Sequence, residues 1–323
     1  MMLQQIFAPI ATEMEILNNR YNTILHNNNT VVKKILSNVT LLGGKKLRPA
    51  LVFFSAGITG EINRLTYTSA FSFELLHYFS LIHDDVIDNG QKRHNQPTLN
   101  AIWNNKTAIL IGDYLLSECM SFIVQANYPQ LLLKLAEIAK IMTQGELLQL
   151  TQLQNKCLSE KEYMDIIRYK TGALMSACCE MGAASAIADS EIINQWKIFG
   201  EETGIIFQLK DDLLDYQVHH LSSKDVHKDI KEHKITLPFI IALQHTPDAE
   251  KTQLLNLYLN HTGKIEEIQT IIHTVTERGG IAYTESLIDK KTKQCIDFVN
   301  QQKDSEYKKS LLLLVQFIRD RKF

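Results

Sequence analysis

Apolar and polar residues alternate at helical spacing from residue 10 to residue 38, which predicts one or two amphipathic helices broken at Asn27, Asn28 and Asn29. After Gly43-Gly44 the stretch K-K-L-R-P-A-L-V-F-F opens a new helix, with Pro49 in its first turn. The next helical pattern runs from Leu65 to Asp88 and ends in a polar loop, N-G-Q-K-R-H-N-Q-P-T. From Lys106 to Met120 the chain is almost wholly apolar. That pattern predicts a buried helix, inside which Asp113 needs a partner. Residues 131 to 154 read as another long helix, interrupted by Gly145, Glu146 and Gln149. Ser159 and Glu162 make a capping box for the helix that follows, and Lys170-Thr171-Gly172 falls in its middle. Glycine there costs about 1 kcal/mol against alanine, so the backbone bends, a ligand comes close, or it is a plain packing glycine. Asp189 or Ser190 caps a helix that reaches Asp211. From Leu237 to Phe323 further helices are broken near Pro247 and at Gly279-Gly280, with Leu311 to Val315 as core.

Long helical patterns with short punctuation predict an all-α chain. The 14 Gly and 6 Pro are spread among 323 residues without a linker, a low-complexity tract or a repeat, so a single domain spanning 1–323 is expected. A net charge of −2 with 22% charged residues excludes a generally basic nucleic-acid binder, and any anion site must come from local clusters. Five cysteines, Cys119, Cys157, Cys178, Cys179 and Cys295, form no C-x-x-C and fit reduced packing residues of a cytoplasmic protein. The first residues lack the basic leader and continuous apolar core of a signal peptide, and no membrane span is expected.

The chemistry starts at Phe73 to Asp88, F-E-L-L-H-Y-F-S-L-I-H-D-D-V-I-D. At about 100° per residue, His77, Asp84 and Asp88 share one helical face, with Asp85 one step round. Crowded carboxylates repel one another, and a divalent cation removes the conflict. Magnesium held by two oxygens of one helix keeps waters and reaches for substrate phosphate. A solvated acidic helix end explains one such cluster, but a second follows about 125 positions later. It reads F-Q-L-K-D-D-L-L-D and carries Asp211, Asp212 and Asp215 at the same spacing.

Each acidic cluster is trailed by cations: Lys92, Arg93 and His94 after the first, and Lys224, Lys228, Lys231 and Lys234 after the second. Lys45, Lys46 and Arg48 gather at a helix N-terminus, where free N–H groups and the helix dipole favour an anion. Four histidines near the second cluster, His219, His220, His227 and His233, lack the paired spacing of a zinc site, and their lysine neighbours oppose a cation. Acids trailed by bases describe a site for a strongly anionic substrate held through metal ions. Metals bridging a diphosphate also make it a better leaving group.

In this order the motifs resemble those of the trans-prenyltransferases, the polyprenyl diphosphate synthases, over nearly the whole chain. G-G-K-K-L-R-P is similar to their first basic motif, and H-D-D-V-I-D and K-D-D-L-L-D to their two aspartate-rich motifs. G-D-Y-L-L, Y-K-T-G and the lysine loop K-D-V-H-K-D-I-K-E-H-K-I-T-L-P complete the set. The resemblance implies a helical bundle of ten or more helices around a central cavity, and a homodimer. It implies head-to-tail condensation of isopentenyl diphosphate with an allylic prenyl diphosphate. By the same resemblance Asp84, Asp88 and Asp211 hold magnesium, three ions with substrate bound, while Asp85, Asp212 and Asp215 support them. Arg93, Lys170, Thr171, Gln208, Lys224 and Lys234 serve the allylic diphosphate. Lys45, Arg48, His77 and His94 serve isopentenyl diphosphate, and the departing diphosphate takes the proton.

The chain departs from the family pattern at His94, where a second arginine is usual, and at His227 and His233, where glycines are usual; the latter pair puts the bend of the lysine loop in question. A terpene cyclase would need no isopentenyl site, and a non-catalytic partner subunit would be expected to lose acids or lysines. Phe79, five residues before Asp84, stands where the family sets the floor of its product tunnel, beside Tyr78. A ring there predicts a short product, farnesyl or geranylgeranyl, although T-L-N-A-I-W-N-N-K and G-E-L-L-Q-L resemble long-chain synthases.

Overall fold

The computed structural model describes residues 2–25, 29–38, 44–93, 96–155, 159–186, 189–217 and 227–322. Among them the chain is all-α apart from Lys92–Arg93, which pairs antiparallel with Gln96–Pro97. The residues fall into two compact units, each assembled from three segments. The first comprises Met1–Lys140, Leu174–Gly200 and Gln302–Leu311; the second comprises Ile141–Ala173, Glu201–Gln301 and Leu312–Phe323.

The first unit is organised by the helix Arg64–Ile87. Asn63 starts it with a capping box: its side chain accepts from the Leu65 and Thr66 N–H groups, and Thr66 Oγ1 accepts from the Asn63 N–H. Residues Thr66 to Leu76 are buried almost without interruption, among them Phe71, which stacks on Tyr21 and meets Phe122 edge-on. Burial fades towards the C-terminal turn, so the helix is anchored through its core half and lifts Asp84, Asp85 and Asp88 into partial exposure. The helix Leu47–Thr59 packs on one side of it and Asn105–Gln125 on another.

The helix Asn105–Gln125 corrects an expectation. Its apolar residues run all round rather than in one stripe, so only Ala108, Ile111, Leu115, Cys119 and Ile123 can face the core, while Leu110 and Val124 are 67% and 62% exposed. Asp113 lies on that outer side, 3.6 Å from His83 Nε2, and needs no buried partner. By length and composition alone this helix could cross a membrane; a third of its apolar window is buried.

In the second unit Tyr216, Ile230, Phe239, Tyr258, Ile271 and Val275 form a core in which the Phe239 and Tyr258 rings stack at 3.8 Å. The Ser159–Glu162 capping box forms as the sequence predicts. Downstream, Arg168–Gly172 widens into a π-helix. The reason is packing. A Cβ on Gly204 would stand 2.8 Å from Gly172 Cα, so these two glycines let two helical backbones touch, and the extra residue per turn accommodates that contact.

Candidate active site

In the first unit the basic turn before Leu47 divides its cations. Lys46 caps the helix Leu47–Thr59 with a left-handed backbone, φ 49°, and turns its side chain inward. Its ammonium donates to Tyr78 Oη at 2.7 Å, lies 3.5 Å from Glu74 Oε1, and sits over the Tyr21 and Tyr78 rings. Burial pushes the Lys46 ammonium below its usual range, and Glu74 opposes that shift. Lys46 therefore turns away from its neighbours Lys45 and Arg48 towards the core, while those two stay half-buried. The His77 imidazole is held well below its ordinary pKa, first by desolvation and then by Arg48, Arg93 and Lys46. A neutral imidazole among three cations is a hydrogen-bonding group in a strongly positive field, which suits an anionic ligand.

Within the first acidic triplet Asp85 is paired with Arg93. Arg93 grips it with Nε at 3.0 and 3.2 Å and Nη2 at 2.8 Å, tying the Lys92–Pro97 hairpin to the helix end. Asp84 is half-buried and Asp88, the C-cap, is exposed. His94 and Lys224 lie outside the described residues.

The second unit links its predicted residues in a chain of hydrogen bonds. Thr171 Oγ1 donates to Gln208 Oε1 at 2.8 Å, Gln208 Nε2 donates to Asp212 Oδ1 at 2.8 Å, and Tyr163 Oη donates to Asp212 Oδ2 at 2.5 Å. Burial, with Asp229 nearby, raises Asp212 to about 8 against the lowering effect of those two donors. Lys170 Nζ is held by Gln149 Oε1 at 2.6 Å and by Glu146. Gly145 admits this arrangement, since a Cβ there would stand 2.8 to 3.1 Å from Tyr169 and Lys170. A cavity of about 160 Å³ is lined by Gln149, Tyr163, Lys170, Gln208, Asp212, Asp229 and Lys234.

Asp215 turns out to be a capping residue. Its Oδ2 accepts from the Ile230 N–H at 3.1 Å, with Asp229 and Lys228 adding backbone bonds, so it stops the short helix Lys228–Lys231 from drifting. His227 and His233 adopt φ 59° and 56°, the left-handed conformation that a glycine would take, so the bend is kept. Each imidazole offsets the strain, which is about 1 kcal/mol or more, with a bond to a backbone carbonyl: His227 Nδ1 to Asp215 at 2.5 Å and His233 Nδ1 to Tyr258 at 3.0 Å.

Among the described residues no three His, Cys, Asp or Glu side chains converge into a ready-made metal site. The donor chemistry nevertheless fits magnesium. Asp84 and Asp88, one helical turn apart, and Asp211, 43% exposed, are hard carboxylate donors that water also reaches, as an ion that keeps part of its hydration shell requires.

The model of the polyprenyl synthetase family matches residues 29–275. The chain belongs to the polyprenyl synthetase family. Its relatives include the all-trans-nonaprenyl-diphosphate synthase of Rhodobacter capsulatus, 30% identical over 98% of each chain. Among solved polyprenyl synthetases it superposes on a decaprenyl diphosphate synthase of Rhodobacter capsulatus with a TM-score of 0.92, at 26% identity over 99% of each chain. A geranylgeranyl pyrophosphate synthase of Bacteroides thetaiotaomicron is 30% identical over 99% of each chain, with a TM-score of 0.84. These neighbours carry the isoprenoid synthase fold, as the motifs implied.

For a polyprenyl synthetase, the sequence reading missed Glu74, Tyr163, Asp229 and Arg321. Glu74 left a signal, an acid in an otherwise apolar run one turn before Tyr78. Asp229 lies inside the quoted lysine loop, but nothing there singles it out from its charged neighbours, and nothing local marks Tyr163 or Arg321 apart from ordinary helix residues.

Proposed function

We propose that this chain is a magnesium-dependent prenyltransferase that joins isopentenyl diphosphate to an allylic prenyl diphosphate and releases inorganic diphosphate. The observation that carries the reading is the first unit's placing of Asp84 and Asp88 one turn apart at the end of the helix Arg64–Ile87, with Arg93 fixed on Asp85 beside them and Lys46, Arg48 and Arg93 acting together on His77. Magnesium held by these carboxylates would supply charge screening for the diphosphate and stabilise the charge that develops as it departs. The allylic C–O bond breaks, its electron pair leaving on the diphosphate. The double bond of isopentenyl diphosphate then supplies the electrons of the new C–C bond, and loss of a proton to the departed diphosphate restores an allylic double bond. No side chain is assigned as the base.

Lys45 and Arg48 bind the isopentenyl diphosphate, with His77 donating a hydrogen bond and His94 standing beside them. Asp84, Asp88 and Asp211 hold magnesium. Lys170, Thr171, Gln208, Lys224, Lys234 and Arg93 bind the allylic diphosphate, and Tyr163 orients Gln208 through Asp212. The chain 1–323 acts as one domain, since each compact unit draws on three separated segments. The described cysteines are buried thiols, in keeping with a reducing cytoplasm.

Product length is assigned to Phe79. Its ring packs at 4.4 Å on His83, whose Nε2 lies 3.2 Å from the Ile109 carbonyl, so the ring is braced and cannot swing aside freely. Incubation with isopentenyl diphosphate, magnesium and farnesyl diphosphate yields a short product, and Phe79→Ala lengthens it by removing an apolar plug. Chains of seven or eight isoprene units from the unaltered protein would sink the plug. Absence of any product across geranyl, farnesyl and geranylgeranyl primers would sink the activity itself.

The chain works as a homodimer. Ile109, Leu110, Met120 and Val124 leave an apolar side of Asn105–Gln125 uncovered, and a second copy of the same helix is its natural cover. Light scattering at micromolar concentration returns twice the 36.9 kDa chain mass, and Leu110→Glu with Val124→Glu halves it. A monomeric mass for the unaltered chain would contradict this.

A further inference from the structure

Arg321 reaches Asp211 from a distant part of the sequence and is almost fully withdrawn from water, its side chain 3% exposed. Its guanidinium is fixed on three sides by one turn of the helix Ser190–Gln217. Nη1 lies 2.6 Å from Asp211 Oδ1, Nη2 donates to the Phe207 carbonyl at 2.6 Å, and the guanidinium carbon stands 4.0 Å above the Phe207 ring. A planar, permanently charged fork held in this way cannot leave at low cost, unlike a lysine on a flexible stem. One oxygen of Asp211 is thereby committed to a cation, and Oδ2 is left for anything else that approaches.

From this geometry we infer that Arg321 makes metal uptake by Asp211 conditional on a diphosphate. The inference rests on the proposed role of Asp211 as a magnesium holder. A fixed positive charge against the carboxylate cancels much of its pull on a bare divalent ion. A bound diphosphate brings several negative charges and restores that pull. Arg321 is in this sense a positioning residue: it acts through Asp211, which it holds in one orientation, and so sets the order in which ion and diphosphate arrive. The second acidic cluster then stays empty of metal until a diphosphate is present, which guards against an ion bound in a wrong geometry.

The test is metal binding, followed by titration calorimetry with magnesium and by electron paramagnetic resonance with manganese, each with and without inorganic diphosphate. The component of binding that Asp211→Asn abolishes reports the Asp211 site. In the unaltered chain that component is absent with metal alone and present with diphosphate. In Arg321→Gln it appears with metal alone, its affinity raised by at least about tenfold as removal of a near unit charge predicts, and diphosphate adds correspondingly less. Arg321→Lys, which keeps the charge, retains the dependence on diphosphate.

If Asp211→Asn abolishes no component, the assignment of magnesium to Asp211 is what fails. If it abolishes one, but that component binds equally without diphosphate in the unaltered chain, the inference about Arg321 is overturned, whether or not the Gln variant folds. A double variant, Asp211→Asn with Arg321→Gln, separates the two causes. Coupling through Asp211 makes the arginine change silent in the Asn background, whereas a merely structural role would give the same effect in both.

Discussion

Asp84→Ala lowers turnover by about three orders of magnitude or more, because it removes a hard oxygen ligand at the point where charge develops on the leaving diphosphate. The fold is not expected to suffer. Asp84 lies beyond the buried stretch Thr66 to Leu76 of the helix Arg64–Ile87, half-buried, where a substitution costs on the order of 1 kcal/mol and leaves the fold standing. Initial rates with isopentenyl and farnesyl diphosphates, measured beside thermal melting, separate the two. Asp211→Ala behaves alike in rate. Asp85→Ala differs in kind, since it releases the bidentate grip of Arg93 and loosens the Lys92–Pro97 hairpin, so its loss includes weaker binding of the allylic substrate. Near-normal turnover in Asp84→Ala would refute the assignment of magnesium to the first cluster.

The second large effect falls on stability. Glu74→Ala removes the carboxylate 3.5 Å from the buried Lys46 ammonium, and breaking a buried ion pair from one side costs about 3–5 kcal/mol. Burial already pushes Lys46 towards its neutral form, so part of the cost is met by loss of its proton. Denaturant unfolding at neutral pH gives the number. Adding Lys46→Met to Glu74→Ala recovers a large part of the loss, because the charge that needed a partner is gone. A Glu74→Ala protein within about 1 kcal/mol of the unaltered chain would show that the pair contributes no more than an exposed one. Lys45 and Arg48 flank Lys46 in the chain, so the same substitution weakens isopentenyl diphosphate binding in whatever protein remains folded.

Much of the local structure was readable because its causes lie within one or two turns of the chain. Asn63 with Thr66, Ser159 with Glu162, and Asp189 beneath Ile192 are caps whose partners are two or three residues away. The aspartate triplets share this property, since their spacing alone puts carboxylates one turn apart. Periodicity was less informative for Asn105–Gln125. A nearly continuous apolar run says that a helix has much to bury, but not how many of its sides find a neighbour, and here one side found none among the described residues of the chain.

The sequence by itself determined an all-α chain, the positions of its caps, the two acidic clusters, the cations that follow them, and through those motifs the family. Only the tertiary structure decided what each charge is for. It turned Lys46 inward to a tyrosine 32 positions away, set Tyr163 on Asp212 across 49, made Asp215 a cap, and brought Arg321 to a helical turn 114 positions before it. The physical reason is the range of the forces involved. Helix formation and capping depend on neighbours along the chain, so they are written in spacing. A buried charge takes whichever partner close packing brings within about 3 Å, and that choice is made by the whole unit at once.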